Sequence, residues 1–94
     1  MDRAVVALPT IESLRAFVKT TLCEHDRLDP EQTPFTQAPV VKRGKTCGAF
    51  FQVAGPRLLK TYAVWAGEEH RILFYDANGA RFHEVRLSEA PLPV

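Results

Sequence analysis

The stretch TCGAFFQVAGPRLLKTYAVWAGEEHRILFYDANGARFHEVRL, residues 46–87, decides the fold, because it holds most of the large apolar side chains and alternates strand-like runs with three turn signals. The runs 46–53, 57–66, 70–76 and 81–87 are rich in Val, Ile, Phe, Tyr, Trp and Thr, which suit a pleated, half-buried surface. Asp76-Ala77-Asn78-Gly79 separates the last two, and Asn and Gly tolerate the positive φ of a tight type I′ hairpin. Gly55-Pro56 and Gly67-Glu68 mark the other two reversals. Three successive reversals predict an antiparallel meander.

Two-residue turns set the register by counting, and side chains then alternate between faces. One face is predicted to carry Phe50, Leu59, Thr61, Ala63, Trp65, Ile72, Phe74, His83, Val85 and Leu87, with small Gly48 leaving room for a helix. The other carries Cys47, Ala49, Phe51, Val53, Leu58, Tyr62, Val64, Leu73, Tyr75 and Phe82, with Lys60, Arg71, Glu84 and Arg86 among them. Both faces are more apolar than a sheet with one solvated side normally shows.

Upstream, Thr10 can cap a helix whose first turn holds Glu12 and whose Ile11, Leu14, Val18 and Leu22 recur at helical spacing, ending near His25. Ala4 to Leu8 is long enough for one edge strand. Residues 26–39 read as a Pro-rich connecting loop with Phe35 as its large apolar anchor, Val40-Val41 as the start of the sheet, and residues 88–94 as an extended, mobile tail. The chain thus reads as a single small α+β domain over residues 1–94: one N-terminal helix on a four- or five-stranded antiparallel meander.

Composition narrows the function classes. With 46% hydrophobic and 24% charged residues the chain has the make-up of a globular domain, and a net charge of +1 supplies no long-range field for nucleic acid or an anionic membrane. No run approaches the roughly 20 apolar residues of a membrane span, and the apolar stretch before Pro9 is too short for a secretory signal. The expectation is a cytoplasmic chain in which Cys23 and Cys47 are reduced.

No reaction signature is present. Cys23, His25, Cys47, His70 and His83 lack the paired spacing of a zinc module, Ser13 and Ser88 have no evident His and acid partners, and no phosphate-cradling glycine loop occurs. Asp76 and Arg81 read as a cross-strand ion pair. We therefore expect no catalytic, metal or cofactor site. Lys42-Arg43-Gly44-Lys45 is a basic cluster, and aromatics beside Lys60, Arg71 and Arg86 could stack with single-stranded nucleic acid, although no RNP-type consensus accompanies them.

Gln52-Val53-Ala54-Gly55 at the first reversal, with the order strand, helix, four-strand meander, resembles the cystatin family of cysteine-protease inhibitors, whose Gln-Val-Val-Ala-Gly hairpin enters the protease cleft. This chain has one Val fewer, and no glycine precedes its helix. The resemblance implies a cystatin-like fold and a protease partner.

The leading expectation comes from coverage. One helix shields one face, so the second is left for a protein partner, most simply another copy in a homodimer, through Phe51, Lys60, Tyr62, Leu73, Tyr75 and Phe82. The competing expectation is that the 26–39 loop or the tail folds over that face.

Overall fold

The structure is a computed structural model that describes residues 4–55 and 60–91. Its elements follow in the order β1 (Ala4–Ala7), α1 (Ile11–Asp26), β2 (Phe35–Lys42), β3 (Lys45–Ala54), β4 (Lys60–Ala66), β5 (Arg71–Tyr75) and β6 (Arg81–Glu89). The class is α+β, with one helix on a six-stranded mixed sheet of spatial order β1-β6-β5-β4-β3-β2. Five strands form the antiparallel meander. The sixth, β1, adds to β6 in parallel, so the fully antiparallel four- or five-stranded sheet is corrected.

Helix α1 starts where its caps put it. Thr10 is extended, its hydroxyl accepts from the Ser13 N–H at 3.0 Å, and Ser13 returns the contact to the Thr10 N–H at 3.2 Å. Arg27, at φ 55°, closes the other end, and its N–H reaches the Cys23 and Glu24 carbonyls. Leu14, Val18, Leu22 and Cys23 form the buried stripe. Beneath it the sheet offers small side chains, Ala49, Thr61 and Ala63, flanked by Phe51, Val53, Trp65, Ile72, Phe74 and Val85. Thr61, buried among these side chains, donates its hydroxyl to the Asp26 carboxylate and so avoids the cost of an unpaired group.

Two connections depart from the turn count. Ala54 pairs with Lys60, so five residues rather than two join β3 to β4. An odd change of length reverses alternation, which turns Phe51 inward and Phe50 outward and exchanges all of β3 between faces. Residues 57–59, predicted to open a strand, lie outside the described residues.

The β5–β6 turn is also longer. Tyr75 pairs with Arg81, Gly79 has φ 82°, and Asp76 Oδ1 accepts from the N–H groups of Asn78 at 2.9 Å and Ala80 at 3.0 Å. Asp76 is therefore a turn acceptor. Arg81 pairs instead with Glu84, at 3.7 Å, which corrects the predicted Asp76–Arg81 bridge.

The loop expected over residues 26–39 ends at Pro34, and Phe35 to Pro39 belong to β2. Pro39 fits because β2 is an edge strand. The Ala54 N–H bonds the Pro34 carbonyl at 3.2 Å, which puts Thr36, Ala38 and Val40 in the bonded pairs and turns the missing donor of Pro39 toward solvent. At the other end Ser88 and Glu89 extend β6, Ala7 pairing with Glu89, so the expected tail starts later than residue 88. Residues 92–94 lie outside the described residues.

Candidate functional site

The helix-free face is built by the even residues of β2, β3 and β4, the odd residues of β5, and Glu84 and Arg86 of β6 in three cross-strand rows. The middle row runs Glu84, Leu73, Val64, Phe50, Ala38 from β6 to β2. Beside it Tyr75, Tyr62, Gln52 and Thr36 form one flank, and Arg86, Arg71, Ala66, Gly48 and Val40 the other. Leu73, Val64, Phe50, Tyr62 and Tyr75 are all half-buried.

The rings shield one another. Tyr62 and Tyr75 stack at 5.0 Å and 14°, and Phe50 tilts against Tyr62 at 5.5 Å and 30°. These are cross-strand neighbours, whose packing contributes roughly 0.2–1 kcal/mol per pair. That accounts for their partial burial without a second layer. The Arg27–Pro34 connection stays on the helix side, where Leu28 and Phe35 pack against the core. Phe35 stacks on Phe51 at 5.7 Å, under Arg15 and Lys19 at 5.7 and 5.9 Å from its ring centre. Among the described residues, then, this loop does not cover the open face.

The charged flank is an interlocked ladder. Arg71 bonds Glu69 at 2.6 Å and reaches Glu84 at 3.6 Å, while Arg86 faces it directly across the strand pair. The two carboxylates offset the repulsion between the guanidinium groups. At this exposure each pair contributes about 0–1 kcal/mol, so the ladder orders the surface more than it stabilises the fold.

Of the six residues predicted for the interface, alternation puts Lys60, Tyr62, Leu73 and Tyr75 on the open face. Phe51 is fully buried under the helix, so its placement on the open face is corrected. Phe82 is corrected too. It sits at the register shift of β6, stacks on His25 of α1 at 3.6 Å and 13°, and packs 6.1 Å from Phe74. Phe50 and Val64 complete the surface. A five-residue count for the 55–59 connection would have found Phe50 from sequence.

Gln52, Val53 and Ala54, which carry the cystatin resemblance together with Gly55, lie within β3, and Val53 is fully buried. Both cysteines are free thiols. Burial pushes the Cys23 thiol above its ordinary value, partly offset by nearby Lys19 and a hydrogen bond with Thr33. Among the described residues no three His, Cys, Asp or Glu side chains gather to hold a metal ion, and no helix is long and apolar enough to cross a membrane. No protein-family model, curated protein or solved structure matches the chain.

Proposed function

We propose that the chain is a non-enzymatic interaction module whose helix-free face docks protein, and that the occupant is a second copy packed face to face. One observation carries the reading: Leu73, Val64, Phe50, Tyr62 and Tyr75 form a contiguous apolar and aromatic surface with no described element above it. Aromatic residues are the usual anchors of protein interfaces. Two sheets packed through such faces bury them about 10 Å apart, as in a sandwich.

Two further features support the face over the edges of the sheet. Pro39 removes an outward donor from β2, so that edge is a poor template for strand addition. The Arg71, Arg86, Glu84 and Glu69 border presents both charge signs, which lets an identical partner find complementary groups. We further propose a reducing, cytoplasmic setting, in which Cys23 and Cys47 stay reduced.

Sedimentation velocity over a wide concentration range tests this. The wild type is expected to self-associate, and Leu73→Glu, which puts a charge at the centre of the face, to weaken association by at least about tenfold, or ~1.4 kcal/mol. A wild-type chain that stays monomeric at every concentration defeats the proposal.

A further inference from the structure

The hairpin joining β2 and β3 breaks several local rules at one place. Its two-residue turn is Arg43-Gly44, with φ of 54° and 78°. Both positions of such a turn need the left-handed region, which Gly, Asn and Asp enter readily and a long side chain does not. Among the described residues the two other non-Gly residues of this hand, Arg27 and His70, close α1 and a short 3-10 turn at Gly67–Glu69, where the strained backbone secures a carbonyl. Arg43 sits at an exposed apex.

Next to it Lys42 and Lys45 are paired directly across the ladder, which places like charges side by side. Among the described residues none of these three cations has a carboxylate within ion-pair distance. All three line one open cleft of about 540 Å³, together with Thr46, Cys47 and Glu68. That volume lies within the range of small-ligand sites.

Conflict between local sequence preference and fold concentrates where a site is maintained. The β5–β6 turn shows the contrast, since Asp76, Asn78 and Gly79 all follow turn chemistry there. Three cations against the Glu68 carboxylate leave the cleft with a charge of 3 − 1 = +2. A phosphomonoester carries about −1.5 to −2 at neutral pH and so matches it, whereas a diester or a single carboxylate supplies half as much. The guanidinium fork suits two phosphate oxygens, and the lysines act as flanking point charges.

The geometry points to a phosphomonoester site at the β2–β3 tip, with Arg43 as the bidentate contact, Lys42 and Lys45 beside it, and a small phosphorylated molecule as the ligand. It is independent of the open sheet face. The step is binding only, with no bond made or broken.

The test titrates the full chain with inorganic phosphate and with a nucleoside 5′-monophosphate at constant ionic strength, following backbone amides by NMR. Saturable shifts are expected at residues 42–47 and 68. Arg43→Asn supplies the better turn residue, so it should raise Tm while weakening binding at least about tenfold, a combination that misfolding does not produce. Absence of saturable shifts in the wild type overturns the site, as does unchanged affinity in Arg43→Asn. Binding of a single-stranded oligonucleotide with both monoester probes inert also overturns it, in favour of a polyanion.

Discussion

Phe50 and Phe51 are neighbours in the chain and identical in chemistry, yet one lies half-buried on the open face and the other fully buried under the helix. The two faces of the sheet differ in the same way throughout. Under α1, small Ala49, Thr61 and Ala63 admit the helix and larger Trp65, Ile72, Phe74 and Val85 close around it. On the other side rings stack on one another and charges fringe them. Apolar character therefore does not decide which face is core. Shape does, because a helix seats only where its ridges meet a shallow floor.

The sharpest way to break this contrast is to truncate the two phenylalanines separately. Phe51→Ala should cost about 3–5 kcal/mol, the range for a buried ring replaced by a cavity. Phe50→Ala should cost less than half as much and act mainly on self-association. Urea unfolding of the dilute chain measures both, and equal losses would mean that the faces do not differ as described.

A smaller effect sharpens the picture of the open face, which is not uniformly permissive. A Cβ at Gly48 would lie 2.0 Å from the Trp65 carbonyl oxygen, a backbone atom. Gly48→Ala therefore forces β3 and β4 apart and should cost about 1–3 kcal/mol, read from the same urea midpoints. Wild-type stability in this variant would contradict the close approach of the two strands.

The smallest expected effect concerns the thiols. Cys23 is buried in the helix–sheet core and Cys47 only half-buried, so an aromatic disulfide reagent should modify Cys47 in the native state and Cys23 only as the chain opens. Burial raises the folded thiol of Cys23 above its unfolded value. Its contribution to stability is then full below the pKa of the unfolded thiol and is lost as pH rises through the folded one. Stability should accordingly fall on the alkaline side, and less steeply in Cys23→Ala. Simultaneous labelling of both thiols in the native state would contradict the covered position.

Much of the fold is legible from local pattern. The Thr10 cap and the Leu14, Val18, Leu22 stripe fix α1, and β4 against β5 falls in register because the connection from Ala66 to Arg71 has an even length. Tyr62, Leu73 and Tyr75 are legible on the open face for that reason. Phe51 and Phe82 are misplaced where local counting fails: at a five-residue connection, and at a register shift that lets Phe82 reach His25. Strand β2 escapes notice because prolines at 34 and 39 read as loop, although an edge strand tolerates an outward proline.

By itself the sequence determined the amphipathic helix, the run of reversals and a surplus of apolar surface beyond what one helix shields. These follow from side-chain periodicity and turn chemistry, which act over a few residues. Only the tertiary structure decided which parity of β3 meets the helix, that Ala4–Ala7 joins β6 in parallel, and that Phe50 rather than Phe51 faces outward. Those choices depend on loop length and on contacts between distant segments, where one extra residue reverses a strand and no nearby side chain records it.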